Sequence, residues 1–122
     1  MYRILQSTDW SFLVGSEVIQ VAIGLYDVQV ALFKDKGDEP LISIWCDFEH
    51  RRSGRKLSES TEVQDKATTL VSLLGRKLRT VSAQGEEALK LQFDNDEMLT
   101  ILVDHRPYEC FAVNRAAGLI VV

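Results

Sequence analysis

The chain repeats itself at a spacing of sixty residues, and that period constrains its fold more than any other feature. Trp10, Leu13 and Val14 lead to Gly15, with Val18 and Val21 following; Leu70, Leu73 and Leu74 lead to Gly75, with Leu78 and Val81 following. Apolar residues at i, i+3 and i+4 share one face of a helical turn, and a glycine directly after them suits the left-handed position that ends it. Asp9 or Thr8 is positioned to cap the first turn, and Asp65, Thr68 or Thr69 the second.

After each glycine the period shortens to two. Ile19, Val21 and Ile23 alternate, then Val28, Val30 and Leu32 beyond a turn containing Gly24, which is a hairpin pattern. The second half runs Val81 and Ala83 through Gly85 to Leu89, Leu91 and Phe93, with the repeat slipping by one residue at the turn. Polar turns at 34–40 and 94–97 lead to third strands, Ile42–Ile44–Cys46–Phe48 and Leu99–Ile101–Val103.

The expected fold is therefore α+β and mainly β: two similar three-stranded antiparallel meanders related by a pseudo-twofold, in a sandwich or partly open barrel. Repeat unit one covers about 9–48, a polar surface loop 50–66, repeat unit two about 67–104, and a C-terminal hairpin without a counterpart 108–122. The expected core is Trp10, Leu13, Val21, Ile23, Ile42, Ile44, Leu73, Leu91, Phe93, Leu99, Ile101 and Phe111. At 122 residues, with 46% hydrophobic and 26% charged residues, one such domain can bury a core without staples. Two cysteines and two prolines do not make a secreted disulfide scaffold. The opening MYRILQSTDW lacks a leader pattern, and no apolar run reaches the roughly 20 residues of a membrane span, so a cytoplasmic protein is expected.

Residues able to carry chemistry are few. Cys46, His50, His105 and Cys110 are zinc-type ligands, but each cysteine is matched with a histidine across different strand ends rather than in the usual paired spacings. Cys110 follows Glu109, an unfavourable setting for a reactive thiolate, and lies an odd number of residues from His105, so the two face opposite ways on a strand. Asp47 and Asp104 occupy matching repeat positions, where acids at strand edges discourage pairing with other chains. The expectation is no metal, no cofactor, no disulfide and no catalysis.

Charge is uneven. Arg51, Arg52, Arg55 and Lys56 cluster without an acid, leaving ten basic against eighteen acidic residues elsewhere, a balance of −8. Between 84 and 109, Glu86, Glu87, Asp94, Asp96, Glu97, Asp104 and Glu109 face only Lys90 and Arg106. Such a surface repels nucleic acid, whose binding depends on neutralising phosphates, and attracts cationic proteins.

The order L-x-G-x-x-V into paired strands, L-x-F, a polar turn and a Tyr-Glu pair before an aromatic is carried by Leu73, Gly75, Leu78, Leu91, Phe93, Asp94, Tyr108, Glu109 and Phe111. It resembles a group of small bacterial domains similar to immunity proteins of polymorphic toxin systems. The resemblance implies a non-catalytic inhibitor that occludes a cognate, cationic toxin domain inside the producing cell. The acidic turns offer Asp38, Glu39, Asp94, Asp96 and Glu97 as a preorganised patch, with Tyr108 as aromatic anchor. The alternative is an orphan structural or small-ligand-binding β domain, a homodimer through an exposed strand edge.

Overall fold

A computed structural model describes residues 5–104 and 109–122. It is mainly β. Strands β1 (Glu17–Ile23), β2 (Val28–Phe33), β3 (Leu41–Ile44), β9 (Phe111–Arg115) and β10 (Gly118–Val121) form one antiparallel sheet in the order β1-β2-β3-β9-β10. Strands β4 (Phe48–Arg52), β5 (Arg55–Lys56), β6 (Leu78–Gln84), β7 (Ala88–Phe93) and β8 (Glu97–Leu102) form the other, in the order β5-β4-β8-β7-β6. A first 3-10 helix (Ser11–Leu13) precedes β1; helix α1 (Val63–Ala67) runs into a second 3-10 helix (Thr68–Leu73) before β6. The sheets are open and enclose one core, to which both contribute.

The sixty-residue period is a physical pseudo-twofold. Gly15 N–H donates to Leu78 C=O and Gly75 N–H to Val18 C=O, at 2.7 and 2.8 Å. Val18 N–H donates to Arg76 C=O and Leu78 N–H to Ser16 C=O, at 2.9 and 2.8 Å. Each bond is the other's image at a spacing of sixty, and Glu17 bridges Lys77 at their centre. Gly15 (φ 90°) and Gly75 (φ 81°) make the left-handed step that carries the chain from helical turn to strand.

Each half contributes five strands rather than three. The run Ile42–Phe48 is not one strand: it breaks at Trp45–Asp47, and β4 crosses to the opposite sheet to pair with β8. The chain crosses back between β8 and β9, which pairs with β3. Thus the C-terminal hairpin β9–β10 does have a counterpart, β4–β5. The expected surface loop 50–66 accordingly begins as a strand and a tight hairpin turn at Ser53 (φ 51°) and Gly54 (φ 82°). Asp47 and Asp104 lie in or beside the two crossovers, not on sheet edges: Asp47 accepts Phe48 N–H (2.8 Å) and the Lys66 ammonium, and Asp104 accepts the Cys110 thiol (3.5 Å).

Both first strands carry a β-bulge at the same place. The register shifts between Val18 and Gln20 and again between Leu78 and Thr80, leaving Ile19 and Arg79 as the extra residues. Ten of the twelve expected core residues are buried. Val21 is only partly so, and Ile23 is exposed: both face inward, but on an edge strand, and Ile23 lies at its open end opposite Val28. Asp9 accepts Ser11 N–H at 3.0 Å, which holds its carboxyl below the usual range. In the second unit the anticipated caps do otherwise: Thr68 and Thr69 donate their hydroxyls back to the carbonyls of Asp65 and Lys66.

Candidate protein-binding surface

Alternation along the strands fixes what each sheet shows to solvent. On the first sheet the outward residues run in cross-strand rows: Ala22, Gln29, Ser43, Ala112 and Val121, then Gln20, Ala31, Leu41, Asn114 and Leu119. None of these residues is charged, and Ala112 alone among them is buried. The second sheet's outward rows contain Lys90, Glu49, Arg51 and Lys56 among Ser82, Thr100, Gln92 and Met98. One scaffold built twice thus carries charges in both outward rows of one sheet and none in these two rows of the other, whose charged outward residue, Glu17, lies opposite Phe33 beside the junction.

The uncharged rows continue into an apolar end. The turn between β1 and β2 is closed by Gly24 N–H to Asp27 C=O (2.8 Å), and Gln64 of α1 donates to Leu25 C=O (2.8 Å). That turn presents Leu25 at 74% and Tyr26 at 82% exposure. Trp45, directly after β3, lies at the same end of the sheet, because Ile44 pairs with Val28. Large, rigid, exposed aromatic side chains beside an uncharged sheet are the composition of an interface anchor.

The acidic residues read from the sequence do not form one patch. Glu39, Asp94 and Asp96 are exposed and Asp38 half-buried, on two turns that flank the pseudo-twofold junction. Cations are interleaved there: Asp94 N–H donates to Lys77 C=O, and Arg79 donates to Asp94 C=O. Tyr108 lies outside the described residues. Glu97 is wholly buried and cannot meet a partner.

Glu97 instead organises a polar cluster. One carboxylate oxygen meets His50 Nε2 (2.5 Å) and accepts from Ser72 (2.6 Å); the other accepts from Arg52 (3.1 Å) and Asn95 (2.5 Å). Burial would raise its carboxyl, but these hydrogen bonds together outweigh it and hold it below the usual carboxylate range. Burial pushes His50 down, against the pull of Glu97. A neutral imidazole beside a carboxylate donates through Nε2, which sets its unprotonated Nδ1 2.7 Å from the Thr69 hydroxyl, whose one proton is shared between that nitrogen and the Lys66 carbonyl.

The internal repeat shows how unusual this cluster is. Leu99 lies between Leu91 and His50 as Ile42 lies between Val30 and Val113, so His50 occupies the place of Val113 and Glu97 that of Pro40. Arg52 matches Arg115, which instead stacks 4.1 Å over Phe12, the counterpart of Ser72. The first sheet's side of the core solves the same space with apolar groups and a cation–π contact. His50 and Thr69 also line a cavity of about 160 Å³ with Lys56, Ser58, Ser60 and Lys66. Cys46 and Cys110 are buried thiols, not joined in a disulfide, on the touching crossovers, and burial pushes Cys110 up, away from thiolate chemistry.

No family model matches the chain, and no curated protein or solved structure is recognisably similar to it.

Proposed function

We propose that this chain is a non-catalytic protein-binding domain, an inhibitor that occludes a cognate cationic toxin inside the producing cell. The observation that carries the reading is the pair of uncharged outer rows on the first sheet, ending in Tyr26, Leu25 and Trp45, set against the charged rows of its internal twin. A repeat-built scaffold does not require that difference. The acidic balance supports steering toward a cationic partner, while the uncharged face supplies the desolvated centre of the contact. The contact centre therefore moves from the acidic turns to the sheet, with Asp38, Glu39, Asp94 and Asp96 at the rim.

The test is binding to, and protection against, the toxic C-terminal domain of a large secreted protein encoded immediately upstream. Tyr26→Ala and Leu41→Lys, both outward-facing, are expected to raise Kd by about 10- to 100-fold each through faster dissociation, without lowering Tm. Charge reversal at Asp94 and Asp96 is expected to slow association and flatten its salt dependence. Full protection by both face variants would remove the sheet from the interface, and absence of any binding would end the inhibitor reading. The cavity beside His50 favours a second reading, a small-ligand site; saturable binding lost in Lys56→Ala and unaffected by Leu41→Lys would establish it.

A further inference from the structure

Two open sheets have four edges, and three of them are protected. β1 and β6 are bonded to each other at their starts through the junction, bulged at Ile19 and Arg79, and packed against the 3-10 helix of the opposite half. β5 is two residues long and carries Arg55 and Lys56, so a strand approaching it meets two cations. Its twin, β10, is Gly-Leu-Ile-Val, with no charge, proline or bulge.

The backbone of β10 is set for a further strand. Phe111 and Val122 exchange hydrogen bonds in both directions, at 3.3 and 2.9 Å, which marks theirs as a closely bonded pair. Alternation from that pair makes Val113–Ile120 bonded and turns the N–H and C=O of Leu119 and Val121 away from β9, toward the open edge. Among the described residues nothing accepts or donates to them.

We infer that two copies of this chain associate through β10, pairing antiparallel about a twofold at Ile120 into one ten-stranded sheet. The strand is its own complement in that register. Leu119 N–H meets Val121 C=O of the second copy and the reverse, so every outward group of both residues finds a partner. Leu119 and Val121 face the same side, so each Leu119 packs across the new ladder on the other copy's Val121. The outcome is a pair of uncharged outer rows continuous over both copies, with no charged side chain at the new ladder. A strand offered by a different protein lacks this built-in match of register and apolar side chains, which is why a second copy is the occupant assigned. The inference stands apart from the toxin reading and its test needs no toxin.

The experiment is sedentation equilibrium combined with amide hydrogen exchange, over about 10 µM to 1 mM protein. The weight-average mass is expected to climb from 13.8 kDa toward twice that value. The amides of Leu119 and Val121 should gain protection as concentration rises, while Ile120, already bonded to Val113, serves as the constant control. Leu119→Pro removes an outward N–H and no bond to β9; Leu119→Lys leaves the backbone intact and adds the guard that β5 already has. Both are expected to stay monomeric with an unchanged β spectrum, and if the proline variant unfolds the lysine variant decides. A wild-type monomer across the whole range would overturn the inference. So would a dimer that Leu119→Lys leaves intact, or exchange at Leu119 and Val121 that does not respond to concentration.

Discussion

Glu97 is the residue at which charge counting and geometry part. Placed in the acidic turn DNDE it reads as surface, yet its parity with Leu99 and Ile101 puts it on the inward face, where it is wholly buried. His50 shares parity with Phe48 in the same way. The alternation was legible; what was not is that Ser72, Thr69 and Arg52, distant in sequence, arrive to satisfy both groups. A buried pair of this kind is costly to break singly and cheap to replace jointly, because a lone survivor keeps its desolvation cost without its partner. Glu97→Leu and His50→Val should each lower unfolding stability by about 3–5 kcal/mol, and the double variant by clearly less than the sum, with a coupling of at least about 1 kcal/mol in urea titrations. Additive losses would mean the two groups act independently. Both groups sit below their ordinary values of 6.5 and 4.5. The unfolded chain therefore takes up protons first as pH falls, so stability present above 6.5 is lost on acidification, first through histidine and then through the carboxylate. The double variant should show a flatter stability profile between pH 7 and about 4.

At the scale of elements, the two glycine-ended turns are the most legible feature, because helical spacing followed by glycine specifies a local conformation that needs no tertiary information. Gly15 and Gly75 occupy equivalent left-handed positions, and a Cβ added at either meets no atom closer than 4.0 Å, so backbone strain alone sets the cost of substitution. Gly15→Ala and Gly75→Ala should each cost about 1–2 kcal/mol, and the same within error, by thermal or urea unfolding. A large difference would show that the two halves are not energetically equivalent at the junction. The crossovers were not legible for a corresponding reason. Ile42, Ile44, Cys46 and Phe48 keep strict parity through the break, so the side-chain pattern records an inward face without recording which sheet the backbone joins. Strand membership is decided by partners, here β9 for β3 and β8 for β4, and these lie more than forty residues away.

The whole molecule follows from that exchange. Each half lends its fourth and fifth strands to the sheet begun by the other, so neither sheet is completed by one half alone. Residues 1–59 would hold β1–β3 without β9–β10, and β4–β5 without β8; Phe48 and His50 would lose the Ile101 and Leu99 they lie against. Residues 60–122 would be left with β6–β8 lacking β4, and a β9–β10 hairpin with no sheet to join. An isolated three-stranded sheet with one face stripped of its cover cannot repay its conformational entropy. Both fragments are therefore expected to give coil-like circular dichroism separately, and an equimolar mixture to recover the β spectrum and a single cooperative melt. The cut between Glu59 and Ser60 falls in a segment outside every strand and helix, so it removes connectivity and not ladder bonds. Cooperative unfolding by either fragment alone would show that a half is self-sufficient, and the exchanged hairpins would then be an ornament on two independent meanders rather than what binds them into one fold.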